Sequence, residues 1–352
     1  LDAHLEKEWA ALRQVRERNR IGIWGFGNVS RDVVLYLVEA GLGKEIVFYG
    51  RPKDSHTNRA GLWIDDLRAN TFHGPRMMGT NRLEDMAGLD VLFVGVGVPR
   101  RPGQTRRDLL EDNTRVVADT CMEIRELYRN CAESDLPVLI LMGNPVTTMT
   151  WVAYKITGFP KSHVMGQAGN LDSRRICHAV ALELGLSGND MRGIVFGDHG
   201  DSMVVSPRYF SVGGVPLDVF LHGAGKDLEM IRDVIEDAKK GGTHFVNEVG
   251  QSASAGPAKA AGSMLRCLIT GQAEVQPVVC IVEREYALLN KEDGLDCIGF
   301  GVPARIGSHG VEAVYELPVD DVREELLNSA ALVKEDIRNA AETLRKEYGI
   351  QA

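Results

Sequence analysis

The feature that most constrains the fold is a short apolar run, Ile21 to Trp24. It breaks into a glycine-rich turn, Gly25-Phe26-Gly27-Asn28-Val29-Ser30, and passes at once into a helical stretch from about Ser30 to Ala40. A second apolar run, Glu45 to Tyr49, follows. Strand, helix and strand in so short a span make a βαβ unit with parallel strands, because the crossover helix carries the chain back before the second strand begins. Apolar runs at Val91 to Val96 and Val138 to Met142, separated by a helical stretch from Thr105 to Asn130, continue the alternation. The pattern predicts a Rossmann-type doubly wound parallel sheet with helices on both faces.

Beyond Pro145 the pattern is mixed. Helices are expected at Val146 to Thr157 and Asp172 to Leu184, then β-rich segments at Met191 to Phe196 and Met203 to Val212. Helices return at Asp227 to Lys240 and Ala258 to Thr270, strands at Val278 to Glu283 and Gly301 to Ile306, and Asp320 to Tyr348 reads as a long closing helix. A chain of 352 residues is long for one core, since single cores stop growing at roughly 250 to 300 residues. The expected division is an N-terminal helical extension over residues 1–20, a dinucleotide-type domain over 21–150, and a mixed α+β substrate domain over 151–352.

Leu5, Trp9, Leu12 and Val15 fall at helical spacing among charges, so the extension reads as an amphipathic helix. Its Glu content argues against an acid-poor transit peptide, although the chain, starting at Leu1, could have lost a leader. No run approaches the roughly 20 apolar residues of a membrane-spanning helix. The formal net charge of −9 disfavours nucleic acid and acidic membranes as partners, and an anionic substrate then needs a local basic pocket. The six cysteines show no close CxxC pairing and sit mostly in apolar runs, which suits a reducing, cytoplasmic setting.

The turn at Gly25, Gly27, Asn28 and Val29 lies between strand and helix, where backbone N–H groups can approach a pyrophosphate; Ser30 stands where the usual fingerprint has a third glycine. The competing reading is a purely structural turn. An acid for the ribose hydroxyls is expected about 20 residues on, at the close of the second strand, but Gly50-Arg51-Pro52-Lys53 stands there and Asp54 comes too late. A missing carboxylate followed by Arg51 and Lys53 suits a 2′-phosphate, so NADP(H) is favoured, with NAD(H) possible; alternatively the basic pair is merely solvated.

Four further motifs follow in order. They are Gly97-Val98-Pro99-Arg100-Arg101-Pro102-Gly103-Gln104-Thr105-Arg106, Gly143-Asn144-Pro145, Leu171-Asp172-Ser173-Arg174-Arg175, and Gly197-Asp198-His199-Gly200-Asp201-Ser202. With these, the chain from Ile21 to about Tyr348 resembles the L-lactate and malate dehydrogenases. The resemblance implies hydride transfer between a nicotinamide cofactor and a 2-hydroxy acid. In that chemistry a group titrating near neutrality must take or return the hydroxyl proton.

By resemblance His199 is that group and Asp172 orients it. Arg175 grips the substrate carboxylate; Asp172 and Arg175 are three apart at a helix start and so share a face. Arg106 polarises the carbonyl from a loop, Pro99 to Arg106, that closes over the substrate, while Arg100 sets substrate choice. An arginine at position 100 resembles the malate enzymes, so malate and oxaloacetate lead, and a lactate-type monocarboxylate is the alternative. Arg101, Arg107 and Arg174 are assigned to the surface. Asn144 is expected to touch nicotinamide and substrate, with Asn144-Pro145 resembling a bond that is cis in relatives. Gly95, Gly97 and Asn113 would line the cofactor groove, and Ser252 and Ala253 would face the substrate.

The departures from the family pattern at Ser30, Gly50 and Gly95-Val96-Gly97 all fall on the cofactor groove. No metal site is expected. The rival of another class is an NAD-dependent glycoside hydrolase of the same fold, with Cys177-His178 as its only adjacent Cys-His pair; a second rival is a catalytically idle nucleotide sensor. The resemblance also implies a homodimer or homotetramer, pairing through the helix from Asp172 to Leu184.

Overall fold

The computed structural model describes residues 17–51, 58–98 and 106–351. The expected N-terminal helix, Lys53, Asp54 and Arg100 therefore lie outside the described residues. Six parallel strands form the first half: β1 (Arg20–Trp24), β2 (Glu45–Tyr49), β3 (Arg76–Thr80), β4 (Val91–Val94), β5 (Val138–Leu141) and β6 (Val164–Gly166). Their order across the sheet is β3-β2-β1-β4-β5-β6. This is the doubly wound order, whose reversal between β1 and β4 opens a crevice at the strands' C-terminal ends. The parallel run continues to Gly166, beyond the expected division near residue 150.

The helices of this half are α1 (Asn28–Glu39), α2 (Arg59–Ala69), α3 (Arg106–Tyr128) and α4 (Val146–Thr157). Strands β4 and β5 are buried at every position, as a sheet covered on both faces requires. Arg18, just before β1, is buried and donates to the carbonyls of Asp90 and Ser308, tying the chain's entry to both halves.

The second half supplies α5 (Gly169–Glu183), the short strands β7 (Met191–Arg192), β8 (Val195–Gly197), β9 (Met203–Val205), β10 (Ser211–Val212) and β11 (Val215–Pro216), and the helices α6 (Leu217–Gly223), α7 (Glu229–Lys239), α8 (Gly241–Val249) and α9 (Ala255–Thr270). Two long strands, β12 (Glu274–Val282) and β13 (Ile298–Gly307), then β14 (Gly310–Val314) and α10 (Arg323–Tyr348), complete it. β12 joins the antiparallel strands to the parallel ones by pairing Val279 with Gly166. One sheet thus runs through both halves, and a separate core around Ile176, Phe210 and Leu221 lies under the small β11-β10-β7 sheet. No helix among the described residues is long and apolar enough to cross a membrane.

Candidate active site

Strand register sets the cofactor crevice. Trp24 pairs with Tyr49 and with Val94, so Gly25, Gly50 and Gly95 follow side by side at the ends of β1, β2 and β4. Gly25 has φ +103°, and a Cβ there would stand 3.0 Å from the Gly95 carbonyl oxygen; only glycine suits both conditions. Gly27 is the N-cap of α1 and no side chain caps it, so the first-turn N–H groups remain for an anion. Ser30 is buried against Gly95, whose own Cβ would collide with Ser30 Oγ at 2.3 Å. Asn28 and Val29 form the first turn of α1, with the Asn28 carboxamide accepting from Arg31. These residues fit the pyrophosphate of a dinucleotide.

At the ribose end, the acid is absent and its space is filled. A Cβ at Gly50 would lie 3.1 Å from Phe26 Cβ, and the Phe26 ring packs at 5.3 Å on Phe48. Arg51, expected to face a 2′-phosphate, instead has its guanidinium 2.8 Å from the Glu123 carboxylate on α3. The arginines that converge here are Arg31 from α1 and Arg59 from the start of α2, each with its guanidinium carbon 5.4 Å from the Phe26 ring centroid. Sequence reasoning missed both. Their signal was an aromatic residue inside the glycine turn, with arginines on the two helices flanking β2.

At the end of β5, where the resemblance places the nicotinamide contact, the Asn144-Pro145 bond is cis, as that resemblance implies, and Asn144 is exposed. Asn113 is buried: its Oδ1 accepts from Val98 N–H at 2.7 Å, and its Nδ2 donates to the Asn144 carbonyl at 2.6 Å. It acts on the groove through the backbone it holds, including the segment at Gly97, where a Cβ would lie 3.3 Å from Asn113 Oδ1.

The expected proton-transfer pair is assembled from two elements. His199 sits in the turn from β8 to β9, between Gly197 at φ +91° and Gly200 at φ +99°. Asp172, in the first turn of α5, is 1% exposed, and its Oδ2 lies 2.8 Å from His199 Nδ1. That bond leaves Nε2 as the nitrogen open to a substrate, and the imidazole keeps 22% exposure. Asp172 Oδ1 is buried without a hydrogen-bond partner among the described residues, so its charge is directed at the ring. Burial opposes the imidazolium, but the charge and hydrogen bond of Asp172, helped by Asp198, hold the His199 pKa above its ordinary value against the opposing Arg175.

Arg175 is half-buried on α5 and has no carboxylate partner among the described residues, with Gly242 of α8 packed beside its guanidinium. Arg174 turns away and donates to the carbonyls of Met191 and Gly188. Arg106 opens α3, but its side chain and residues 99–105 lie outside the described residues. Ser252 and Ala253 lie in the short link between α8 and α9. The Cys177-His178 pair is split, with Cys177 buried and His178 exposed. Burial pushes the Cys177 thiol up to about 11, which disfavours the thiolate a metal needs. Among the described residues no group of three His, Cys, Asp or Glu could hold a metal.

Comparison with known proteins agrees over both halves. Residues 19–166 match the family model for the lactate/malate dehydrogenase NAD binding domain, and residues 169–344 match that for the lactate/malate dehydrogenase alpha/beta C-terminal domain. The chain is 33% identical over 333 residues to the malate dehydrogenase of Nostoc punctiforme, covering 92% of this chain and 94% of that one. It is 32% identical over 330 residues to that of Bacillus subtilis, covering 93% and 98%. The solved structure of the Salinibacter ruber malate dehydrogenase superposes with a TM-score of 0.79 at 30% identity, covering 93% of this chain and 99% of that one. The chain therefore belongs to the lactate/malate dehydrogenase family and is an oxidoreductase of the malate dehydrogenase type.

Proposed function

We propose that the chain interconverts malate and oxaloacetate, with NADP(H) favoured over NAD(H). The observation that carries the reading is the 2.8 Å His199–Asp172 pair, whose Asp172 stands one helix turn before Arg175, an arginine with no carboxylate partner among the described residues. A bound nicotinamide supplies or accepts the hydride. In reduction, Arg175 holds the C1 carboxylate as a planar fork, and protonated His199 gives its Nε2 proton to the carbonyl oxygen as the hydride reaches C2. In oxidation, neutral His199 takes the hydroxyl proton, and Asp172 stabilises the imidazolium that forms. Arg100 is assigned to the second carboxylate and Arg106 to the carbonyl, both by resemblance.

The raised His199 pKa gives the reaction a directional pH dependence. Oxaloacetate reduction, which needs the imidazolium, should hold its kcat/KM above the ordinary histidine value of about 6.5 and decline only as pH rises through the folded value. The same pair adds stability that is fully present below about pH 6.5 and is lost as pH rises through that folded value. Asp172→Asn should lose this contribution, so the gap in Tm between wild type and variant should be wider at pH 6 than at pH 9. A gap independent of pH would contradict the coupling.

The cofactor preference rests on Gly50, on Phe26 filling the place of the acid, and on Arg31 and Arg59 over the Phe26 ring. The pairing of Arg51 with Glu123 favours the NAD(H) alternative. Oxaloacetate reduction measured separately with NADPH and NADH decides between them. NADPH is expected to give the higher kcat/KM, with Arg59→Ala lowering that ratio about tenfold, the effect of losing one charged contact of about 1.5 kcal/mol. A clear NADH preference would reject the 2′-phosphate reading and leave the acid chemistry standing.

A further inference from the structure

The residue immediately before His199 is a buried carboxylate, Asp198, 4% exposed, that the proton transfer does not itself use. Thr147 Oγ1 donates to its Oδ1 at 2.6 Å, and Ser202 Oγ donates to its Oδ2 at 3.0 Å. Its own N–H donates to Ser329 Oγ at 3.0 Å. These partners come from three separate places. Thr147 lies in the first turn of α4, two residues past the cis Asn144-Pro145 bond. Ser202 closes the His199 turn, and Ser329 lies on α10. The approach is close enough that a Cβ at Gly197 would meet Ser329 Oγ at 2.7 Å.

An asparagine could accept from Thr147 and donate to Ser202 equally well. The position sets a carboxylate near two groups that favour one, the N-terminal end of α4 and the neighbouring imidazole.

We infer that Asp198 is a positioning residue for His199, fastening its turn to the nicotinamide-side Asn144-Pro145 turn and setting a second negative charge beside the imidazole. The inference rests on His199 being the proton-transfer group. Among the described residues, the charged groups that act on the ring are Asp172 and Arg175 from α5 and Asp198 from the turn itself. Both carboxylates favour the imidazolium and the guanidinium opposes it. Asp172 orients the ring through Nδ1. Asp198, hydrogen-bonded elsewhere, acts through space and by holding the loop.

The test is the pH profile of oxaloacetate reduction for the wild type, Asp198→Asn and Thr147→Val. Asp198→Asn removes the charge and keeps both hydroxyl contacts. It should move the high-pH limb of kcat/KM to lower pH, so that activity falls about three- to tenfold at pH 8.5 and stays within about twofold of wild type at pH 6. Thr147→Val keeps the charge and loosens the link between the turns. It should lower kcat by a similar factor at every pH and leave the limb in place.

An Asp198→Asn profile with an unmoved limb, or a Thr147→Val profile shifted as far as that of Asp198→Asn, would overturn the inference. Should Asp198→Asn yield no folded protein, Asp198→Ser carries the same expectation for the limb. His199→Asn separates the two levels of the argument. If that variant is inactive and Asp198→Asn leaves the limb unmoved, only the role of Asp198 fails. If His199→Asn keeps its turnover, the assignment of His199 itself fails.

Discussion

His199→Asn is expected to lower kcat for oxaloacetate reduction by about 10²- to 10⁴-fold, the range supplied by a positioned general acid. Asparagine can still donate from its amide to Asp172 Oδ2, so the pocket keeps its lining while losing the group that titrates. Cofactor affinity, read by fluorescence titration, should stay within about twofold, because the crevice at Gly25, Gly27 and Asn28 is built from other elements. Asp172→Asn should also be severe. Its amide would donate to Nδ1 and force the proton onto Nε2, the wrong tautomer for accepting the hydroxyl proton in malate oxidation. Near-normal turnover in His199→Asn would contradict the mechanism.

Arg175→Ala is expected to lower kcat/KM for oxaloacetate by about 30- to 5,000-fold, the equivalent of the 2–5 kcal/mol lost when one partner of a buried charge pair is removed. The large effect follows from the geometry. Arg175 is half-buried and has no carboxylate partner among the described residues, which is why the proposed function gives it the substrate carboxylate. Arg175→Lys should recover only part of the loss, since an ammonium cannot reproduce a two-pronged grip. Because Arg175 opposes the His199 proton, its removal should also move the high-pH limb upward, opposite to Asp198→Asn. A fall of less than tenfold in Arg175→Ala would place the carboxylate elsewhere.

What could be read from the chain alone follows the range of the interactions involved. The first βαβ unit, α4 and the closing helix carry local periodicity and were legible. Helix α2 and strand β3 were not. α2 has a weakly patterned sequence with Gly61 near its start, and β3 is a five-residue edge strand with exposed positions among its buried ones, held by its pairing with β2. β12 and β13 begin earlier than their apolar runs suggest. Pro277 and Pro303 face each other across the ladder, and proline ordinarily argues against a strand interior.

The site divides in the same way. His199 and Asp172 were recognisable because their motifs mark them separately, although 27 residues part them. The pairing of Arg51 with Glu123, the meeting of Arg31 and Arg59 over Phe26, and the bond from Thr147 to Asp198 leave no local trace. Each depends on helices and turns that only the sheet brings together.

The central claim, a proton-transfer pair serving a dicarboxylate, is tested most directly by the ratio of kcat/KM for oxaloacetate to that for pyruvate with NADPH. The two substrates share the 2-oxo acid that His199 and Arg175 address and differ in the second carboxylate. A ratio above about 30 in favour of oxaloacetate is expected, from the 2–5 kcal/mol of a desolvated charge pair. Pyruvate reduced as well as oxaloacetate, or better, would contradict it.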